Sequence, residues 1–418
     1  MKKKRILYIH HGSTHGGAPL SLLSLLNYLD RSRYECIVCS SECDLAVEEF
    51  FRQNNFEVCK CRLPRFAHTT LGTYNLLKYS GWRQVLKWTL EYKAAARRLE
   101  ALLKELKPDL VHFNSLTLAP YTKVPCKIGI PNIVHVREPI VNGLFGIRKR
   151  CLTTHLNRYA SQVIAICKDN LDRLQLNEGR GQVIYNPIDF KKFDATIDKQ
   201  QARSALGIAP GANVVLFAGG SVSEAKGLYE FLEATAIVNS KNDNLTCLMP
   251  SFKFATSPQE RRWTLKRRIG WILGIYRKSD RLFRLIENNG LKEKIISSEF
   301  TNEIERWIAA SDIVCAPHIL PHFSRTVIEA GAMKKPVVAF RIGGIEEVVI
   351  NGKTGLLVEV GDVSGLARAI QELFCKEDKG RRMGESGWQQ AKQFFSADIS
   401  SAQVAAVYEE LLYSTKKE

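Results

Sequence analysis

The fold is decided by one stretch in the last third of the chain, DIVCAPHILPHFSRTVIEAGAMKKPVVAF, residues 312–340. It opens on an apolar run, Asp312–Pro317, and closes on another, Pro336–Phe340. Between them lies a segment of helical character around Glu329. A buried strand, a helix and a second buried strand in succession are typical of a parallel sheet in an α/β protein.

The same alternation extends through the rest of the chain. Short apolar runs of the N-terminal half resemble buried parallel strands; they are Ile6–His10, Leu110–Phe113, Ile133–Val136 and Val163–Ile166. The pattern breaks near Asn186–Asp189 and resumes with the strand Val214–Ala218. Because 418 residues exceed what one core usually holds, we predict two domains. Residues 1–190 and 191–395 form them, and a helix over 396–418 packs across both.

Two glycine-rich turns each join a strand to a helix. The first is His10–Gly17 and the second Gly219–Gly227. Free N–H groups at a helix start favour an anion, and glycine permits its close approach. Lys226 in the second turn could neutralise a diphosphate leaving group, although a solvated surface lysine is the plainer interpretation. Neither a dinucleotide fingerprint nor a P-loop can be drawn through these turns. Two such turns on two domains suggest a cleft between them.

The net charge of +17 is concentrated in two stretches. Residues 52–150 hold 18 basic and 6 acidic side chains, and residues 253–284 hold 10 and 2. Aromatic residues interleave with the first; they are Tyr74, Tyr79, Trp82, Trp88 and Tyr92. In the second, Leu265, Ile269, Ile272 and Tyr276 recur at helical spacing. These features fit peripheral contact with an anionic membrane and, equally, basic helices packed on the body. No recognition module for nucleic acid accompanies them.

The cysteines and apolar runs predict where the chain works. Eleven cysteines lie mostly within apolar runs, without an export signal that would favour disulfides, and this predicts the reducing cytoplasm. Cys36, Cys39, Cys59 and Cys61 sit on strand-like segments with poor zinc spacing, so we predict no metal site. No apolar run is long enough to cross a bilayer.

The quoted stretch and its continuation closely resemble the donor-site signature of the family 4 retaining glycosyltransferases. The segments that carry the resemblance are Phe323–Ala332, Lys335–Ala339, Gly343–Gly344, Glu346–Val348, Asn351–Val358 and Gly361–Asp362. Further matching points along the chain are Gly16–Gly17, His112, His135, Asn186–Pro187 and Lys226–Gly227. The resemblance covers almost the whole chain.

The resemblance implies a GT-B fold of two facing Rossmann-like domains, with the acceptor on the first and the nucleotide sugar on the second. Glu329 would bind the ribose hydroxyls, and Lys226 would stabilise the departing diphosphate. His135 would lie near the transferred sugar, so Lys226 and His135 are the predicted catalytic residues. The predicted donor-binding residues are Gly16, Gly17, Gly220, Ser221, Lys226, Ser324, Arg325, Thr326 and Glu329.

Two positions depart from the family pattern. Similar enzymes carry a glutamate eight residues before the one matched by Glu329, where this chain has Pro321. They also carry an arginine where this chain has Ser221. The sugar contacts and the diphosphate clamp are therefore expected to be incomplete, with Arg325 as a partial substitute.

The predicted reaction is sugar transfer with retention from a nucleotide diphosphate sugar, without a metal or another cofactor. The predicted acceptor is a polysaccharide or a lipid-linked glycan of the cell surface, such as lipopolysaccharide or capsule. No dedicated base is required, and neither Glu138 nor Asp189 is assigned as one. Two alternatives are an epimerase or phosphorylase on the same fold, and a catalytically degenerate protein that serves as a binding or scaffold partner.

Overall fold

The structure is a computed structural model that describes residues 2–12, 17–66, 68–69, 72–73, 79–219, 224–252, 277–299 and 301–413. The chain forms two compact units. Unit 1 comprises Met1–Phe190, Pro321–Arg325 and Gln393–Glu418, and unit 2 comprises Lys191–Leu320 and Thr326–Lys392.

The described strands and helices largely alternate along the chain. The strands are β1 Lys4–His10, β2 Tyr34–Ser40, β3 Glu57–Lys60, β4 His68–Thr69, β5 Gly72–Thr73, β6 Leu110–Phe113, β7 Asn132–Val136, β8 Gln162–Ala165, β9 Gly181–Val183, β10 Asn213–Phe217, β11 Leu245–Met249, β12 Ile295–Ser297, β13 Ile313–Ala316, β14 Val337–Phe340 and β15 Gly355–Val358. The helices are α1 Gly17–Tyr28, α2 Leu45–Gln53, α3 Tyr79–Leu106, α4 Lys123–Lys127, α5 Ile147–Tyr159, α6 Lys168–Leu174, α7 Lys199–Ala205, α8 Leu228–Asn239, α9 Arg277–Asn288, α10 Ile304–Ala310, α11 Arg325–Ala332, α12 Ile345–Val348, α13 Val363–Cys375, α14 Glu377–Phe394 and α15 Ala397–Tyr413.

Each unit is built on a parallel sheet. Unit 1 has seven strands in the order β3-β2-β1-β6-β7-β8-β9, and unit 2 has six in the order β12-β11-β10-β13-β14-β15. Both orders reverse direction once, between β1 and β6 and between β10 and β13, as in doubly wound folds. In such sheets ligands bind beyond the carboxyl ends of the strands at the point of reversal. The predicted α/β class with two Rossmann-like domains is confirmed.

The central strands of unit 1 are largely apolar because both faces of its sheet are covered. Successive residues of β1 point to opposite faces, so Leu7 and Ile9 join one core layer while Ile6 and Tyr8 join the other. The layer around Ile6 includes Tyr408 and other residues of α15. The last described helix is therefore part of the core of unit 1.

One sequence prediction falls largely on residues that are not described. The basic amphipathic segment with Leu265, Ile269, Ile272 and Tyr276 lies outside the described residues, and the structure describes only its continuation in α9. Among the helices that are described, none is both long and apolar enough to cross a membrane.

Candidate functional site

The turn that carries Lys226 is fixed by the glycine after it. Gly227 has a φ of +72°, and a Cβ on it would lie 1.6 Å from the carbonyl oxygen of Pro317. Only glycine allows the connection after β10 to approach the connection after β13 this closely. Ile319 N also donates to Ala225 O at 3.1 Å. The two connections are thus joined at the point where the strand order of unit 2 reverses.

Lys226 is half-buried at the carboxyl edge of the sheet of unit 2, and burial lowers its pKa. His318 is fully buried, and its pKa is lowered to about 4, first by burial and then by the charge of Lys226. His318 is therefore neutral near pH 7, and the positive charge stays on the lysine. A partly desolvated ammonium attracts an anion more strongly than a fully solvated one does.

The helix α11 presents a buried carboxylate. The Glu329 side chain is only 4% exposed. The helix packs closely on α14, since a Cβ on Gly331 would lie 3.1 Å from Gly387 O. Ser324 is buried just before the helix, and Arg325 and Thr326 begin it half-buried. The first N–H groups of a helix have no partner within it, so this end can accept a phosphate.

The remaining predicted donor residues are described in part. Gly17 is exposed and is the first residue of α1 in unit 1. Gly16, Gly220 and Ser221 lie outside the described residues. Pro321 is half-buried in the connection between β13 and α11, where it supplies no carboxylate.

His135 ends a buried chain of polar side chains at the carboxyl edge of unit 1. Its Nδ1 lies 3.2 Å from His112 Nε2, and His112 Nδ1 lies 2.7 Å from the hydroxyl of Tyr408. That hydroxyl lies 2.7 Å from the hydroxyl of Tyr8. Burial lowers the pKa of His112 to about 3 and that of His135 well below 6.5, so both rings are neutral. His135 Nε2 has no hydrogen-bond partner among the described residues.

A second polar cluster at the same edge surrounds Arg137, which is 6% exposed. Its Nε donates to Asn114 Oδ1 at 2.7 Å, and its Nη1 donates to Asn186 Oδ1 at 2.7 Å. Asn114 Nδ2 in turn lies 2.9 Å from His10 Nδ1. Burial lowers the pKa of Arg137 to about 10, so the guanidinium remains charged at neutral pH.

The two carboxylates that were not assigned as bases are hydrogen-bonded within unit 1. Glu138 Oε1 lies 3.1 Å from His11 Nε2 and accepts from Ser115 Oγ at 3.2 Å. Burial alone raises the pKa of Glu138, but the bond with His11 and the charge of Arg137 outweigh it and lower the pKa overall. Asp189 accepts from the Tyr28 hydroxyl at 2.9 Å.

A cavity of about 430 Å³ opens on the opposite edge of unit 2. It lies at the amino ends of β10 and β13 and includes Asp312 and Lys335 in its lining. Lys335 Nζ donates to Ala309 O at 2.8 Å and to Ser311 O at 2.7 Å. These bonds hold the lysine against the backbone of its own unit. Because doubly wound sheets bind ligands at their carboxyl edge, this cavity is not the candidate site. Within the described ranges, no group of three or more His, Cys, Asp or Glu residues could hold a metal ion.

Comparison with known families covers both units. Residues 15–192 match the model described as Glycosyltransferase Family 4, and residues 198–390 match the model described as Glycosyl transferases group 1. The chain belongs to the family 4 glycosyltransferases.

The similar proteins share modest identity with this family 4 chain. The D-inositol 3-phosphate glycosyltransferase of Paenarthrobacter aurescens is 27% identical over 48% of this chain and 47% of its own length. The lipopolysaccharide core biosynthesis mannosyltransferase LpsB of Rhizobium meliloti is 28% identical over 55% of this chain and 61% of its own length. The chain thus spans only about half the length of these relatives.

A solved structure shows the same fold over nearly the whole chain. Anabaena HepE in complex with UDP aligns with a TM-score of 0.75 and 22% identity, over 97% of this chain and 100% of that one. The fold is therefore GT-B.

Sequence reasoning missed the residues that surround the predicted ones. His318 lies within electrostatic reach of Lys226, and His10 and Arg137 lie in the cluster at the edge of unit 1. A signal was available, since His10 ends β1 and Arg137 directly follows β7. Polar residues at the carboxyl ends of neighbouring parallel strands meet at one edge.

Proposed function

We propose that this protein is a glycosyltransferase that moves a sugar from a nucleoside diphosphate sugar to a glycan or lipid-linked acceptor. One observation carries the proposal. The half-buried Lys226 lies in the connection after β10, and the buried Glu329 lies in α11, the helix that follows the neighbouring strand β13. The structural neighbour HepE supports it, because its complexes are named for UDP and for UDP-glucose.

In the proposed reaction each group has a distinct role. Glu329 accepts hydrogen bonds from two ribose hydroxyls, which suits the two oxygens of a carboxylate. Lys226 and the first N–H groups of α11 stabilise the diphosphate as its negative charge grows. The bond from the anomeric carbon to the phosphate oxygen breaks, and a bond to the acceptor oxygen forms on the same face. The departing phosphate oxygen takes the proton of the acceptor hydroxyl, so neither a protein base nor a metal is required.

The proposed acceptor belongs to cell-surface glycan synthesis. The relative LpsB is named for the lipopolysaccharide core. Acceptors of this kind are held at a membrane, which agrees with a proposed cytoplasmic enzyme bound to an anionic inner face.

The helix α3 supports such peripheral contact. Trp82, Leu86 and Leu90 recur every four residues on it, with exposures of 57%, 61% and 71%. Trp88 and Tyr92 lie elsewhere on the helix and donate to carbonyl oxygens within unit 1, at Pro64 and Pro120. Thus only part of the aromatic set is available to a membrane. Exposed apolar side chains at helical spacing beside basic ones suit the headgroup region.

The donor site is tested by thermal shift of the full chain with UDP, GDP, ADP and CDP. We expect one nucleotide to raise Tm in proportion to its affinity and concentration. A charge-assisted hydrogen bond is worth about 1.5–3 kcal/mol. Lys226→Ala and Glu329→Ala should therefore each weaken the binding of that nucleotide roughly tenfold or more. Lys334→Ala is the matched control, because Lys334 is bound to Glu385 and should leave the affinity unchanged.

The alternatives predict different outcomes. If no nucleotide raises Tm, or if both substitutions behave like the control, the donor assignment fails. Nucleotide binding without consumption of any nucleotide sugar would favour the degenerate binding protein. Consumption of a nucleotide sugar that yields its epimer in the absence of acceptor would favour an epimerase.

A further inference from the structure

The cluster around Arg137 contains a charged donor that the protein does not satisfy. Its two bonded acceptors, Asn114 Oδ1 and Asn186 Oδ1, are neutral amide oxygens. Nη2 of Arg137 is buried and has no hydrogen-bond partner among the described residues. The neighbouring carboxylate of Glu138 attracts the guanidinium but is bonded by His11 and Ser115 instead.

Hydrogen positions follow from the geometry and reveal a second donor. A guanidinium can only donate, so the oxygen of Asn114 faces Arg137 and its Nδ2 faces His10. His10 Nδ1 must therefore accept, at 2.9 Å. Because burial keeps this ring neutral, its proton lies on Nε2. Nε2 is also buried and has no hydrogen-bond partner in the described part of the chain.

Two buried hydrogen-bond donors without acceptors, on residues linked through Asn114, are costly unless a ligand supplies acceptors. A buried donor without an acceptor costs roughly 1–3 kcal/mol, and a charged one costs more. Both residues lie where ligands bind in doubly wound sheets, since His10 ends β1 and Arg137 follows β7 near the reversal between β1 and β6. The charge of Arg137 acts on His10, which places the two groups within electrostatic reach of one another.

We propose that Arg137 and His10 form a binding site for an oxyanion, a phosphate or carboxylate group carried by the acceptor substrate. An oxyanion has only acceptor atoms, which match two donors. The assignment to the acceptor rests on the proposed function, in which unit 2 holds the donor through Lys226 and Glu329. The other source of the same chemistry is free phosphate.

The first experiment titrates the full chain with inorganic phosphate and with acetate, in the presence of a saturating concentration of the nucleotide that raises Tm in the donor test, and follows Tm. That nucleotide occupies the donor site, so a remaining shift reports a separate anion site. We expect Arg137→Gln to weaken the binding of the anion roughly tenfold or more, since one charge-assisted hydrogen bond is lost. Arg5→Gln is the matched control, because Arg5 lies at the amino end of β1 and pairs with Glu35.

The two assignments fail in different ways. Lys226→Ala should reduce the nucleotide shift and keep the phosphate shift, and Arg137→Gln should do the reverse. A phosphate shift that survives Arg137→Gln would overturn the anion site without affecting the donor assignment. A phosphate shift that Arg137→Gln removes, in a wild type that none of the four nucleotides stabilises, would reject the proposed function while the anion site stands.

A second measurement needs no variant, in case Arg137→Gln does not fold. Crystals of the wild-type protein soaked with selenate should show anomalous density within hydrogen-bond distance of Arg137 Nη2; none there would overturn the site. Glycerol 3-phosphate, unlike glycerol, should compete with selenate if the oxyanion is carried by a larger ligand. Selenate or phosphate that binds while the ester does not would overturn the assignment to the acceptor.

Discussion

At the scale of single residues, the candidate donor edge depends on close backbone approach as much as on charge. Gly227 and Pro317 meet at a distance that leaves no room for a Cβ. The two residues of the motif Lys226–Gly227 therefore have different roles. Lys226 supplies the positive charge, and Gly227 allows the turn to pack against the connection after β13. The glycine turn and its lysine were predictable from sequence, whereas the contact with Pro317 was not, since 90 residues of chain separate the two.

Gly227→Ala should be strongly destabilising. The new Cβ would lie 1.6 Å from a backbone oxygen, which no side-chain rotation can relieve. We expect a loss of about 3 kcal/mol or more in the free energy of unfolding, measured by urea denaturation. Gly352→Ala is the control, because its φ is +77° but nothing lies within 4 Å of its Cβ; it should cost only about 1 kcal/mol. Equal losses would contradict the steric argument.

The cluster around Arg137 shows where residue-level prediction from sequence ends. Asn114 and Arg137 are 23 positions apart, and Arg137 and Asn186 are 49 apart. Their contacts depend on the order of strands in the sheet, which no local pattern encodes. His112 and His135 were singled out through the family resemblance alone, and the bond between their rings follows from the pairing of β6 with β7.

At the scale of elements, the last described helix completes the first unit. Residues of α15 fill the core layer around Ile6, and the Tyr408 hydroxyl bridges Tyr8 and His112 inside it. Helical structure after residue 380 was predicted from sequence and is confirmed. Its polar link to His112 was not, because a tyrosine on an apolar helix face is more often a plain core residue.

Tyr408→Phe should destabilise unit 1 without a change in packing volume. The substitution leaves the Tyr8 hydroxyl and His112 Nδ1 buried without their shared partner. We expect a loss of about 1–3 kcal/mol in the free energy of unfolding, measured by urea denaturation. Tyr413→Phe on the same helix is the control, because Tyr413 is 46% exposed, and it should have almost no effect. If the two variants lose equal stability, the bridge does not contribute.

The exposed face of α3 gives a second prediction at this scale. Replacing Trp82, Leu86 and Leu90 together by serine should weaken binding to vesicles rich in anionic lipid by tenfold or more, because buried apolar area is lost. Co-sedimentation at low and high salt would measure it, since the electrostatic part is screened by salt. Leu45→Ser on α2 is the control, because that leucine is 70% exposed but lies on another helix. Unchanged binding by the triple variant would exclude this face as the contact.

At the scale of the whole molecule, sequence alternation was sufficient for the fold and insufficient for the site. Continuous apolar runs such as Val214–Ala218 correctly predicted parallel strands, because a strand covered on both faces is apolar throughout. Which strand ends lie next to one another depends on the order of the strands in the folded sheet. Sequence therefore identified Lys226 and Glu329 through a motif, and it left His10, Arg137 and His318 unassigned.

The buried histidines predict how the stability of the molecule depends on pH. Burial lowers the pKa of His112 to about 3, and of His155 and His318 to about 4, against roughly 6.5 in an unfolded chain. Between pH 6.5 and 4 the unfolded state therefore binds protons that the folded state does not. The free energy of unfolding should fall as pH decreases through this window and should not depend on these groups above it.

Urea unfolding at pH 7, 6 and 5 measures this dependence, and His318→Gln isolates one group. Each buried histidine contributes up to about 1.4 kcal/mol per pH unit to the slope of the free energy of unfolding against pH. The slope of the variant should therefore be smaller by up to that amount. Because His112 and His155 lie in unit 1 and His318 in unit 2, two unfolding transitions would each shift with pH, and only that of unit 2 should respond to His318→Gln. An unchanged slope in the variant would mean that His318 is protonated as readily in the folded state as in the unfolded one, and the neutral state assigned to His318 would then be wrong.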